Sequence, residues 1–204
     1  YFKYIIMNYI NTTMFLIFKM LKNKYILITI LIVFFNFSGL SNIDSREIPG
    51  SAYDFNFVDI DGKNLPLSQF KGKPLLIFNS ASKCGFTSQY TGIQKIHETY
   101  KNKGLVVIGI PSDNFNQEPG NEEDIKKFCM VNFNITFDLT KKNNVVGSEA
   151  HPFFEWIDKN YNVKPKWNFY KFVINKDGKL ESHFSSMIVP SSEKLISSLD
   201  KVIK

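Results

Sequence analysis

Two short apolar runs separated by one amphipathic stretch constrain this chain most. Residues 74–80 (PLLIFNS) and 105–110 (LVVIGI) read as strands buried on both faces, the pattern that arises when helices cover a sheet on each side. Between them Ile93, Ile96 and Tyr100 recur at three and four residues, with Gln94, Lys95, His97 and Glu98 on the opposite face. That spacing predicts a crossover helix, and strand–helix–strand in this order predicts a parallel βαβ unit. Residues 53–60 followed by Asp61-Gly62 read as an opening hairpin, and 172–175 and 179–184 as strands joined at Asp177-Gly178. Further helices are expected over about 122–130, 149–160 and 192–203. The expected fold is α/β: a central mixed sheet flanked by helices, with a hairpin at its N-terminal side.

The start of the chain has a different character. Residues 1–39 hold four lysines and no acid, so the net charge of +6 belongs mostly to this stretch, and the rest is near balance with 21 basic and 19 acidic residues. A nucleic-acid binder concentrates its basic residues on the folded domain, so nucleic acid is not an expected partner. Lys22 and Lys24 precede an apolar run at 25–37 broken only by Thr29 and Asn36, and the small residues Gly39 and Ser41 follow. Two readings stay open: a secretory signal starting at Met20 and cleaved after Ser41, or an uncleaved membrane anchor, since no charge occurs over 25–43. Either divides the chain into a leader, 1–41, and a domain, 42–204. Either also predicts export, to the periplasm or to the outer side of the membrane facing it.

Two cysteines, Cys84 and Cys129, exclude a disulfide-dense scaffold and a four-thiolate zinc site. His97, His151 and His183 have no ligating neighbours at metal spacing, and no phosphate-cradling glycine motif is present, so neither metal nor bound cofactor is expected. Cys84 falls after the first apolar strand and before the crossover helix, where open α/β sheets place ligands and where helix N–H groups stabilise a thiolate. Position alone leaves an inert buried cysteine equally open. A C-x-x-C dithiol is excluded, with Thr87 where a second thiol would stand. A reactive Cys84 would therefore work alone, attacking an O–O bond to give a sulfenic acid that a second thiol condenses with. Cys129 is the one internal candidate, although Ile125, Phe128 and Cys129 also share a helical face that would simply be core.

The segment N-S-A-S-K-C-G-F-T-S-Q-Y (79–90) resembles the peroxidatic-cysteine signature of the glutathione peroxidase family. N-F-N-Q-E-P-G (114–120), F-C (128–129), N-I-T-F (134–137), A-H-P-F-F (150–154) and P-K-W-N-F (165–169) are similar to further motifs of that family in the same order. The resemblance runs from about residue 51 to the C-terminus, and the variants look more bacterial than animal. It implies a thioredoxin-like fold and a thiol peroxidase acting on H₂O₂ and on organic or lipid hydroperoxides. It also implies Cys84 as nucleophile, with Trp167 and Asn168 as the indole and amide donors around the peroxide.

The family's glutamine has its aligned counterpart in Asn114, where N-Q-F becomes Asp113-Asn114-Phe115 and the following loop is one residue shorter; Gln117 ranks below it. The segment between Asp158 and Trp167 lacks the longer insertion of tetrameric members, which implies a monomer. Thioredoxin-dependent members resemble this chain in a resolving cysteine on the helix of Cys129, one residue away in the alignment, an offset of about 100° around a helix. The implied reductant is a thioredoxin-like protein, or glutathione acting on the sulfenate directly. A redox relay that passes oxidation to client thiols is the alternative function.

Overall fold

The computed structural model describes residues 50–204, together with Met14, Phe15 and Lys19, which are helical. The chain divides into two compact units, Tyr1–Glu47 and Ile48–Lys204, and the architecture below is that of the second. The leader expected over 1–41 lies outside the described residues but for those three. Among the described residues no helix is long and apolar enough to cross a membrane.

Five strands form the central sheet in the order β5 (Asp138–Leu139), β4 (Val106–Pro111), β3 (Leu75–Ser80), β6 (Lys171–Ile174), β7 (Leu180–Phe184). β3 pairs parallel with β4 and antiparallel with β6, which makes the sheet mixed. The expected βαβ unit is β3, α1 (Gln89–Tyr100) and β4. All six residues of β3 are buried, as a continuous apolar strand at the centre of a sheet must be. Strand alternation divides the core. Leu76, Phe78 and Val173 face a cluster shared with α1, α2 (Glu122–Phe133) and α4 (Glu193–Ile203). Leu75, Ile77, Phe172 and Ile174 face a second cluster built by α3 (Pro152–Tyr161) and the N-terminal hairpin.

The differences from expectation have local causes. The hairpin is β1 (Asn56–Val58) and β2 (Asn64–Pro66), with Phe57 opposite Leu65. Tyr53 is not part of it: Ser51 and Asp54 form a reciprocal capping box that winds Ala52–Asp54 into a 3₁₀ turn, and the Tyr53 hydroxyl meets the Lys73 carbonyl at 2.8 Å. α1 begins four residues before Ile93, because Gln89 and Tyr90 are buried and extend its inner face. β5 is an edge strand of two residues between α2 and α3, too short for any period to show in sequence.

Candidate active site

Cys84 lies in the connection from β3 to α1, at the C-terminal edge of the sheet. The chain winds there before the helix proper, with Thr87 N–H donating to the Cys84 carbonyl at 3.1 Å and Tyr90 N–H to that of Thr87 at 3.0 Å. Cys84 is 4% exposed, and its Sγ accepts the Phe86 N–H at 3.5 Å.

This loop is fastened to the segment that follows β4. Lys83 N–H donates to the Gln117 carbonyl at 2.9 Å. The N–H and hydroxyl of Ser82 donate to Glu118 Oε2 at 2.7 and 3.0 Å. Glu118 is 1% exposed, and burial pushes its carboxyl up even though the two Ser82 donors pull it down.

The W-N-F segment enters from the other side, just before β6. Asn168 is fully buried and donates from Nδ2 to Gln117 Oε1 at 3.1 Å. Trp167 is 40% exposed, its ring 5.4 Å from that of Phe115. Phe169 has φ +63, a left-handed conformation that costs a bulky residue about 1–2 kcal/mol and persists only where its surroundings enforce it. Asn79, in β3, does much of the enforcing. Its Nδ2 donates to the Trp167 carbonyl at 3.1 Å, its Oδ1 accepts from Tyr170 N–H at 3.0 Å, and its carbonyl accepts from Phe169 N–H at 2.6 Å. The sequence signal for Asn79 is visible in retrospect, as an amide side chain inside an otherwise apolar central strand.

Asn114 is placed elsewhere. Its Oδ1 accepts from Val145 N–H at 2.6 Å and Val146 N–H at 3.3 Å, and its Nδ2 donates to Asn144 Oδ1 at 3.2 Å. Its amide is spent on holding the loop before α3, and the amide that reaches Asn168 is that of Gln117. A turn at Asp113–Asn116, closed by Asn116 N–H to the Asp113 carbonyl at 2.8 Å with Asn116 at φ +56, swings the chain so that Gln117 faces the W-N-F segment.

Cys129 sits on α2, fully buried, in the same apolar cluster as Cys84, and both thiols are free. Burial pushes the Cys129 thiol up to about 11; the Tyr90 hydroxyl opposes this and the Glu118 carboxylate adds to it. At neutral pH it is a thiol and a poor nucleophile while α2 stays docked. Among the described residues no three metal-ligating side chains cluster.

The glutathione peroxidase family model matches residues 52–158. A glutathione peroxidase from Lactococcus lactis is 40% identical over 143 residues, covering 68% of this chain and 91% of that protein. A glutathione peroxidase-like peroxiredoxin from Chlamydomonas reinhardtii, GPX5, is 39% identical over 156 residues, 74% of this chain and 95% of that one. The crystal structure of Trgpx in apo form superposes with a TM-score of 0.61 at 32% identity, covering 76% of this chain and 97% of that one, and the fold is thioredoxin-like. The chain belongs to the glutathione peroxidase family.

Proposed function

We propose that Cys84 is the nucleophile through which this member of a peroxidase family reduces hydroperoxides. The Cys84 thiolate attacks the terminal peroxide oxygen, the O–O bond breaks, and the departing alkoxide or hydroxide takes a proton to leave as alcohol or water. Cys84 is left as a sulfenic acid. Asn168 and Gln117 bring amide donors, and Trp167 an indole N–H, to the negative charge that develops on the leaving oxygen. The observation that carries this reading is the Asn168 Nδ2–Gln117 Oε1 bond, in a segment whose Gln117 carbonyl also holds Lys83, the neighbour of Cys84.

A second thiol then condenses with the sulfenic acid, expelling water and forming a disulfide, and an external thiol supplies the two electrons that restore Cys84. Cys129 is the proposed resolving thiol and a thioredoxin-like protein the proposed reductant, with glutathione as the competing donor. Docked α2 holds Cys129 protonated, so resolution requires α2 to open. What supports opening is that α2 buries only Ile125 and Cys129 fully along twelve residues. A monomer and an extracytoplasmic location remain part of the proposal. The experiment is a coupled assay with thioredoxin and thioredoxin reductase against glutathione and glutathione reductase: turnover with thioredoxin that Cys129→Ser removes supports the reading, and glutathione turnover indifferent to Cys129→Ser overturns the two-cysteine cycle.

A further inference from the structure

Lys171 is a buried cation that the chemistry above does not use. It lies on β6, opposite Phe78 of β3, with none of its surface exposed. By strand alternation it points to the same side as Val173, the layer that also holds Cys84, α1 and α2. Among the described residues no carboxylate pairs with it. Its Nζ donates instead to two carbonyls, that of Phe169 at 2.7 Å and that of Ile188 at 2.8 Å. Desolvation without a counter-charge draws its ammonium down to about 7. A methionine would fill the same space at no such cost, so a lysine here calls for an account of the two carbonyls it holds.

Those carbonyls are informative. Phe169 follows Asn168 and is the residue in the left-handed conformation, so the direction of its carbonyl and the placement of the Asn168 amide are set by the same bend. Asn79 fixes the other polar groups of the bend, the Trp167 carbonyl and the Phe169 and Tyr170 N–H groups, and leaves the Phe169 carbonyl to Lys171. Ile188 belongs to the 185–190 loop that joins β7 to α4, which also receives Gln89 Nε2 on the Ser186 carbonyl at 2.7 Å. Gln89 is the first residue of α1, five residues beyond Cys84. The 185–190 loop is therefore gripped by one buried side chain from the Cys84 side of the site and by another from the Asn168 side.

We propose that Lys171 is a positioning residue of the peroxide site: by tying the Phe169 carbonyl to the 185–190 loop it holds the bend that presents the Asn168 amide. The inference rests on the assignment of Cys84 as nucleophile and Asn168 as donor. It separates two reactions of the same sulfur. Peroxide reduction needs a donor at the leaving oxygen, whereas alkylation by iodoacetamide needs only an accessible thiolate.

The test uses the full chain with Lys171→Met and Lys171→Gln, each with its melting temperature. Cys84 oxidation by H₂O₂ is followed by stopped-flow tryptophan fluorescence, and Cys84 alkylation is timed under the same conditions. The expected result for Lys171→Met is oxidation slower by about tenfold or more, with alkylation within about twofold of wild type. The Asn168 side-chain amide signal in the NMR spectrum should move with it. Lys171→Gln keeps a donor and is expected to lose less. Oxidation and alkylation slowed in equal proportion, or oxidation at the wild-type rate, would overturn the inference. If Lys171→Met does not fold, Lys171→Leu, which also lacks a donor, decides by the same ratio, and if that fails too Lys171→Gln decides, its shorter side chain being unable to hold both carbonyls, so that an unchanged ratio overturns the inference. Peroxide consumption surviving in Cys84→Ser would overturn the nucleophile assignment and this inference together. An inactive Cys84→Ser beside a wild-type ratio in Lys171→Met sinks this inference alone.

Discussion

Helices α1 and α2 are each twelve residues long and pack on the same face of the sheet, yet they are held by different means. α1 buries six of its residues, including Tyr90, Ile93 and Ile96, and its N-cap Ser88 makes no side-chain capping bond. α2 buries two, and its start is closed by a reciprocal capping box between Asn121 and Asp124. Tertiary contacts hold α1, whereas local bonds hold much of α2. The difference teaches where a fold can keep a reactive group still and where it can let one move. Cys84, at the head of α1, is braced through Ser82 and Lys83. Cys129, on α2, would leave behind its own buried side chain, that of Ile125 and the half-buried rings of Phe128 and Phe133, less than α1 buries.

Removing the fixed thiol should have the largest effect. Cys84→Ser is expected to abolish peroxide consumption, a loss of about a thousandfold or more, while circular dichroism stays native. Removing the thiol on α2 should act on a different step. Cys129→Ser is expected to leave Cys84 oxidation in a single turnover within about twofold of wild type but to cut thioredoxin-coupled turnover by about a hundredfold. Equal losses in both steps would break the division of labour between the two helices.

Within the fixed region, Gln117→Ala should slow Cys84 oxidation by about ten- to thirtyfold, since it removes the partner of Asn168. Asn114→Ala should lower the melting temperature by releasing Val145 and Val146, with oxidation changed less than about threefold. Stopped-flow oxidation and thermal melts of the two variants separate these outcomes, and the reverse ranking would restore Asn114 to the site.

The buried thiol of α2 also predicts a pH dependence of stability. Its folded pKa, pushed up to about 11, lies above the value of 9.0 for an ordinary thiol, so between the two the unfolded chain has released a proton that the folded chain keeps. Stability must therefore fall as pH rises from about 9 to 11, by about 3 kcal/mol at most, relative to Cys129→Ser, which lacks the titration. Denaturant midpoints of the two proteins across that range measure it. The smallest effect is the most telling about α2. Asn121→Ala removes the cap, worth about 1 kcal/mol, and if opening precedes resolution the disulfide should form about fivefold faster, as read by quenched alkylation.

The sheet was legible because its central strands are buried on both faces: 75–78 and 106–111 show as apolar runs, and the crossover helix shows through Ile93, Ile96 and Tyr100. The place of Cys84 between strand and helix was legible, but that place alone was equally open to an inert core cysteine, and its role rests on the resemblance. β5 was not legible, since two residues carry no period. Similarity along the chain reads sequence order, which favours Asn114 over Gln117. Which side chain faces Asn168 is decided by the left-handed turn at Asn116, a backbone feature that an asparagine permits but does not announce. Asn79 and Lys171 were hidden for a related reason. A polar side chain in an apolar strand says that a partner exists, but the partners are backbone groups some ninety residues away for Asn79 and in a loop of another element for Lys171.

Resolution of Cys84 by Cys129 is read out by intact mass after one equivalent of H₂O₂ with free thiols blocked by an alkylating agent. Both alkylations are expected to disappear together with a two-hydrogen decrease in mass, and either Cys84→Ser or Cys129→Ser is expected to prevent this. A Cys129 that stays alkylatable beside a sulfenic or overoxidised Cys84 would contradict it and leave an external thiol to resolve the site.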